Sequence, residues 1–105
     1  MVRRFEIYWV NLDQTVGCEI NKVRPCVIIS PDELNQNLST VIVAPLTSTL
    51  RNYPSRIDLK FNGKKGQIVL DQIRTVDKSR LIEKAASIPS SSAKKIVDLL
   101  LEIFT

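Results

Sequence analysis

Three segments in the first half of the chain are predicted to be β-strands, the first because apolar and polar residues alternate along it and the other two because they are short apolar runs. The first, FEIYWVNL at residues 5–12, places its Phe, Ile and Trp on one face. The second, RPCVIIS at 24–30, has Pro25 at its start, where a missing backbone N–H is tolerated. The third, STVIVAPLTS at 39–48, ends in Pro45 and hydroxyl residues.

The second half of the chain continues the strand pattern. Residues 55–61 alternate, and the Asn-Gly pair that follows favours a hairpin because both residue types tolerate positive φ. The remaining predicted elements are a long polar loop over 13–22, a turn or single helical turn over 31–37, a hairpin turn over 62–66, a fifth strand over 67–76, a short helical turn over 77–83 and a last short strand over 84–89.

The final segment, SSSAKKIVDLLLEIF at residues 90–104, changes to a helical period. A Ser after Pro89 is predicted to cap the helix. Apolar residues cover most of its circumference, so we expect it to be buried on most sides, against the sheet, a partner subunit or both. Five or six short strands and one terminal helix predict a mainly β fold, a small and strongly bent sheet or barrel.

Length and composition indicate one ordinary globular domain over residues 1–105. The chain is 44% apolar and 25% charged, and no apolar run approaches the roughly 20 residues that span a bilayer. No secretory signal is recognisable at the N-terminus, so we expect a cytoplasmic protein whose two cysteines, Cys18 and Cys26, are reduced. Cys26 is predicted to fill the core and Cys18 to lie in a loop.

The charge pattern favours an acidic partner. The formal net charge is +4, and residues 51–65 hold five basic side chains against a single Asp. Such a local excess is typical of a phosphate-facing rim, although many basic proteins bind no polyanion. The chain contains no His and only two Cys, which excludes a typical zinc site and removes the commonest general base.

Two charged residues stand in apolar strands and need an explanation. Asp71 lies within IVLDQIRTVD, and Arg24 opens the second strand. An unpaired charge in a strand is costly, so either the two form a structural ion pair, or each makes separate hydrogen bonds to the backbone, or both line a functional groove. Thr47, Ser48, Glu19 and Lys22 are each compatible with an ordinary turn or solvated loop, and a role for them requires a phosphate nearby.

Four blocks of the sequence resemble the MazF/PemK family of toxin endoribonucleases. They are G-x-E at residues 17–19, R-P at 24–25, P-L-T-S at 45–48 and D-Q-x-R-T-V-D at 71–77, all in the family's order. The similarity spans nearly the whole chain and is firmest over 6–83. It implies an SH3-like barrel of the CcdB/PemK type with a C-terminal helix, a homodimer, metal-independent and sequence-specific cleavage of single-stranded RNA, no cofactor, and an acidic cognate antitoxin.

The resemblance also implies site residues. The family's catalytic arginine corresponds to Arg24, its hydroxyl to Thr47 and its acidic residue to Asp71; Glu19 is a further candidate proton acceptor. Some members carry an Arg at the position of Val69 and a His in the first loop, so a mechanism centred on Arg24 and Thr47 fits this chain better. We predict that RNA contacts the basic, polar and aromatic residues of the loops and the rim: Lys22, Ser48, Arg51, Tyr53, Arg56, Lys64, Lys65 and Gln72.

Two other functions are compatible with the same predicted barrel. A toxin of the CcdB type has the same barrel but acts by binding a topoisomerase, and its function would be carried by the terminal helix. An inactive, RNA-binding member is the second alternative, because Val69 replaces an arginine and histidine is absent.

Overall fold

The structure, a computed structural model, describes residues 1–12 and 23–105. Within these residues seven short strands and two helices are present. The strands are β1 (Glu6–Asn11), β2 (Val23–Ile28), β3 (Thr40–Thr47), β4 (Arg56–Phe61), β5 (Lys64–Val69), β6 (Arg74–Asp77) and β7 (Leu81–Ser87). The helices are α1 (Asp32–Asn37) and α2 (Ser90–Phe104), and 3₁₀ turns cover Leu70–Gln72 and Lys78–Arg80.

All the strand pairs are antiparallel, in the order β4-β5-β3-β2-β1-β7, and β6 pairs with the first half of β3. The curled sheet encloses one apolar cluster that α2 covers through the fully buried Ile96, and a second cluster that surrounds Val10 and Cys26. The predicted mainly β fold with a terminal helix is confirmed. The predicted loop over 13–22, with Cys18, Glu19 and Lys22, lies outside the described residues.

The predicted fifth strand over 67–76 is wrong, because the chain turns at its centre. Leu70 points into the core, and its N–H donates to the carbonyl of Ser55 at 3.2 Å rather than to a ladder partner. The 3₁₀ turn that follows carries Asp71 outward, and β6 then leaves β5 to pair with another part of β3. The interruption also raises the strand count above the five or six expected.

Three of the described residues adopt positive φ. Asn62 (φ 52°) and Gly63 (φ 75°) form the predicted hairpin turn, which is tighter than expected because β5 already begins at Lys64. Phe5 has φ 70°, in the left-handed region that favours glycine.

The bounds of α2 match the prediction, but its predicted cap does not. Pro89 occupies the position before the helix, and no side chain caps it, so the predicted Ser cap is wrong. In the single chain Leu101 and Phe104 are 58% and 68% exposed. Burial of this end of the helix against a partner subunit therefore stays a prediction. No helix of the described residues is long and apolar enough to cross a membrane.

Candidate active site

Arg24 and Thr47 meet at the same end of the sheet. In the β2–β3 pair, Cys26 stands opposite Pro45. Because antiparallel strands run in opposite directions, continuing this register by two residues places Arg24 level with Thr47. Arg24 is exposed, and the Thr47 hydroxyl accepts a 3.1 Å hydrogen bond from the backbone N–H of Thr49. That bond leaves the hydroxyl proton of Thr47 available to donate.

A polar cleft of about 460 Å³ opens on one side of this pair. We call it the arginine cleft, because three arginines and no acidic residue line it among the residues that the structure describes. Its walls come from the ends of β2 and β3, from β4 and from the turn after β5. The lining residues are Leu12, Arg24, Pro45, Leu46, Thr47, Arg56, Val69, Gln72 and Arg74. Such a concentration of fixed positive charge suits phosphate groups.

A second cleft, of about 320 Å³, opens on the other side of Arg24 and Thr47. We call it the aromatic cleft, because Trp9 and Phe61 form part of its wall, with ring centroids 5.7 Å apart in an edge-to-face arrangement. Both rings remain partly exposed. The other lining residues are Arg24, Pro25, Leu46, Thr47, Ser48, Asn62, Lys64, Lys65 and Gly66.

Asp71 does not pair with Arg24. Its Oδ1 accepts a 2.8 Å hydrogen bond from the Ser55 hydroxyl and lies 3.9 Å from Nε of Arg56. No ion pair within the described residues joins Asp71 to Arg24, so the predicted structural pair is absent. The Asp71 side chain is 45% exposed, and it reaches the arginine cleft only through Arg56, whose side chain is 11% exposed.

Arg56 is held from several directions. Its guanidinium lies over the ring of Tyr53, 5.3 Å from the centroid, and donates to the Thr49 carbonyl at 3.4 Å. Its Nε atom is buried and makes no hydrogen bond with a described residue. A buried donor without a hydrogen bond is costly, and the Asp71 carboxylate, 3.9 Å away, offsets part of that cost.

Gln67 fixes the loop between β3 and β4. Its buried side-chain amide accepts from the backbone N–H of Arg51 and donates to the Arg51 carbonyl, both at 2.9 Å. It also donates to Asp58 at 2.9 Å. The Gln67 amide thus pairs with the main chain of Arg51 as a neighbouring strand would. These bonds hold the loop that carries Thr49 and Tyr53, both of which contact Arg56.

Cys26 lies behind the site as a core residue, as predicted, and its thiol is free. Burial raises the pKa of this thiol to about 12, and the nearby Arg74 and Arg24 oppose that shift only partly. The thiol is therefore protonated at neutral pH and contributes packing, not nucleophilic chemistry.

The structure thus sorts the predicted residues into three groups. Arg24, Thr47, Ser48, Arg56, Lys64, Lys65 and Gln72 line the two clefts; Asp71, Arg51 and Tyr53 lie behind or beside them; Glu19 and Lys22 lie outside the described residues. Sequence reasoning missed Arg74, Trp9, Phe61 and Asn62. Arg74 belongs to the D-Q-x-R-T-V-D block and could have been recognised there, whereas alternation shows only which residues share a strand face with Trp9 or Phe61.

Comparison with known proteins finds a family and a relative that match nearly the whole chain. Residues 3–104 match the family described as PemK-like, MazF-like toxin of type II toxin–antitoxin system. The whole chain aligns at 33% identity with 95% of an endoribonuclease MazF of Staphylococcus saprophyticus subsp. saprophyticus.

Solved structures agree in fold. A MazF from Deinococcus radiodurans superposes with a TM-score of 0.81 at 25% identity, covering 98% of this chain and 96% of that one. A MazE–MazF crystal structure from the same organism gives 0.76 at 26% identity, with 94% and 95% covered. A mycobacterial endoribonuclease in complex with its cognate antitoxin gives 0.81 at 22% identity, with 95% and 91% covered.

Proposed function

Because this chain belongs to the family of PemK-like, MazF-like toxins of type II toxin–antitoxin systems, we propose that it is a toxin that cleaves single-stranded RNA. The observation that carries the proposal is the position of Arg24 and Thr47, side by side where the two clefts meet. Within residues 1–12 and 23–105, five basic residues and no acidic residue line these clefts. The related staphylococcal protein is named an endoribonuclease.

The reaction is the attack of a ribose 2′-oxygen on the adjacent phosphorus. The P–O5′ bond breaks, leaving a 2′,3′-cyclic phosphate on one fragment, while the 5′-oxygen takes up a proton and leaves as a 5′-OH. Negative charge grows on the non-bridging oxygens, and the Arg24 guanidinium offers those oxygens a planar, permanently charged fork. The Thr47 proton donates to the same group. Since nucleophile and phosphate belong to one nucleotide, orientation supplies much of the acceleration.

Proton transfer from the 2′-OH needs an acceptor, and two carboxylates are candidates. Asp71 is close to the arginine cleft but is engaged by Ser55 and Arg56. Glu19 lies outside the described residues. Arg24 is a poor base, because a guanidinium keeps its proton at every physiological pH.

Arg56 and Arg74 extend the arginine cleft away from Arg24. In the proposal they bind a neighbouring backbone phosphate and thereby hold the scissile phosphate in line for attack, so their loss lowers the cleavage rate although they do not contact the reacting atoms. The mechanism needs no metal. Among residues 1–12 and 23–105, no group of three or more His, Cys, Asp or Glu side chains is placed to hold an ion.

The proposed partners follow from the same surfaces. An acidic antitoxin segment would compete with RNA for the basic clefts, and solved relatives are MazE–MazF and toxin–antitoxin complexes. The exposed apolar end of α2 fits a homodimer, and we place the protein in the cytoplasm, where its RNA substrate is. The topoisomerase-binding alternative is not favoured by these comparisons.

Incubating the purified protein with a long single-stranded RNA tests the proposal. New fragments should appear with 5′-OH ends, which polynucleotide kinase labels directly, and with cyclic phosphates that resist alkaline phosphatase until acid opens the ring to a monophosphate. Excess EDTA should leave the cleavage rate unchanged. A preparation that binds RNA without cutting it, or that cuts only when magnesium is restored, would contradict the proposal.

A further inference from the structure

The proposed cleavage reaction uses the arginine cleft and leaves the aromatic cleft without a role. We propose that the aromatic cleft is a nucleobase-binding subsite, which takes the base of a nucleotide that flanks the scissile phosphate. The inference rests on the proposed function and deepens it, because it names a part of the RNA and the residues that select it.

Position supports the assignment. Arg24, Leu46 and Thr47 line both clefts, so they form the wall that separates them. A phosphate held by Arg24 and Thr47 has its nucleotides on either side of this wall. One of the two flanking bases therefore faces the aromatic cleft, whose volume of about 320 Å³ falls within the range, roughly 300–1,000 Å³, of small-ligand sites.

The chemistry of the walls fits a base better than a peptide or an acyl chain. Trp9 and Phe61 pack edge to face, so their ring faces are not stacked on each other, and both side chains remain partly exposed. Lys64 and Lys65 add positive charge at the rim. Aromatic faces beside basic side chains are the usual means of holding unpaired bases on a charged backbone.

Polar groups that can select among bases also lie in this cleft. Asn62 carries an amide that both donates and accepts, and it sits in the tight hairpin turn before Gly63, which limits its backbone freedom. Ser48 contributes a hydroxyl from the other side. Gly66 allows β5 to pass close to Thr47 of β3, because a Cβ at that position would lie 3.0 Å from the Thr47 carbonyl oxygen.

Trp9 is the only tryptophan of the chain, so its fluorescence reports on this cleft alone. The probes are short RNAs built around a mapped cleavage site and protected by a 2′-O-methyl group at the scissile nucleotide. The unmodified-base probe should quench Trp9 emission saturably. Removing the base on one flank, but not the other, should abolish the quenching and weaken binding about 5- to 20-fold, as expected when one base no longer stacks on an aromatic ring.

Variants separate recognition from folding. Phe61→Leu should flatten the nucleotide preference at one position when a randomised RNA pool is cut, while preferences elsewhere persist. Trp9→Phe keeps an aromatic face and should retain most of the preference. The control is Tyr8→Leu, which removes a ring from the opposite face of β1 and should leave the preference profile unchanged. Thermal melts of all three verify that the compared proteins are folded.

The outcomes are distinct for the two proposals. Unchanged Trp9 emission at saturating RNA, or an unchanged profile for folded Phe61→Leu, overturns the base subsite and leaves RNA cleavage standing. Quenching that depends on one base, in a protein that never cuts RNA, supports the subsite and overturns the proposed activity. A uniform fall of rate at every sequence assigns Phe61 a purely structural role, which also overturns the subsite.

Discussion

The Nε atom of Arg56 lies 3.9 Å from Oδ1 of Asp71. The two residues come from different elements, and Arg56 stands directly opposite Val69 in the β4–β5 pair. At the position of Val69 some members of the family carry an arginine close to the acidic residue. Here a guanidinium reaches the same carboxylate from the facing strand, so the site contains an Arg–Asp contact that its linear sequence conceals.

This contact predicts a separation between stability and activity. Because Asp71 is 45% exposed, the ion pair should contribute little to folding, and the coupling between Arg56→Ala and Asp71→Asn in thermal melts should stay below about 1 kcal/mol. Arg56→Ala should lower the single-turnover cleavage rate about 10- to 100-fold, by loss of a phosphate donor. Lys60→Ala removes an equal charge from the same strand and serves as the control. A large coupling in stability with an unchanged rate would mean that Arg56 is structural.

The pair formed by Arg24 and Thr47 predicts an effect on rate rather than on affinity. Arg24→Ala should reduce cleavage at saturating RNA by about 100-fold or more. RNA affinity should change much less, because other basic residues share the electrostatic attraction. Arg24→Lys keeps the charge but not the fork and should recover only part of the rate. Thr47→Ser should stay active where Thr47→Ala does not.

The melting temperature of Arg24→Ala supplies the check on that prediction. Arg24 is exposed and makes no ion pair with Asp71, so its removal should leave the transition close to that of the wild type. An unfolded Arg24→Ala protein, or one that cuts RNA at the normal single-turnover rate, would refute the assigned role.

For Lys64 and Lys65 we predict the opposite, an effect on RNA affinity rather than on cleavage rate. They are exposed at the rim of the aromatic cleft, so the double change to alanine should weaken RNA binding while cleavage at saturation stays near normal. The slope of log affinity against log salt should become shallower by about 1.4, because each phosphate that a lysine no longer neutralises on a single strand lowers the slope by about 0.7. Fluorescence anisotropy at several salt concentrations measures this slope. An unaltered slope would place both lysines outside the RNA path.

Because the thiol of Cys26 is buried, we predict that the free energy of unfolding falls in alkaline solution. In the unfolded chain its thiol ionises near its ordinary pKa of 9.0, whereas in the folded protein burial raises the pKa to about 12. The unfolded state therefore releases a proton first, and the free energy of unfolding falls between these two pH values, by up to about 1.4 kcal/mol per pH unit. Cys26→Val removes the titrating group and should flatten the dependence between about pH 9 and about pH 10.5. Chemical denaturation of both proteins across that range measures it, and identical slopes would count against a buried thiol.

Local patterns predicted most of the strands, the hairpin and the bounds of α2, because alternation and turn residues act over a few neighbouring positions. The break at Leu70 was missed because it depends on a hydrogen bond to the carbonyl of Ser55. No local signal distinguishes such a turn from a continuing strand of the same composition.

The residues of the candidate site likewise fall into those that local motifs reveal and those that only the folded sheet brings together. Arg24 and Thr47 were recognisable because short motifs surround them, but the partners of Asp71 depend on which strand faces which. Trp9 and Phe61 were not recognised as site residues, since alternation shows that two residues share a face but not whether that face is covered. Only the folded sheet shows that their shared end remains open.

The amide of Gln67 holds the loop after β3 by the main-chain atoms of Arg51, not by its side chain. If the loop contacts RNA as proposed, a substitution at position 51 alters the side chain offered to the RNA without releasing the loop. Single mutations in the loop would then change the target preference while the proposed catalytic pair stays in place. Anchoring by the backbone in this way would make the specificity of the toxin evolvable.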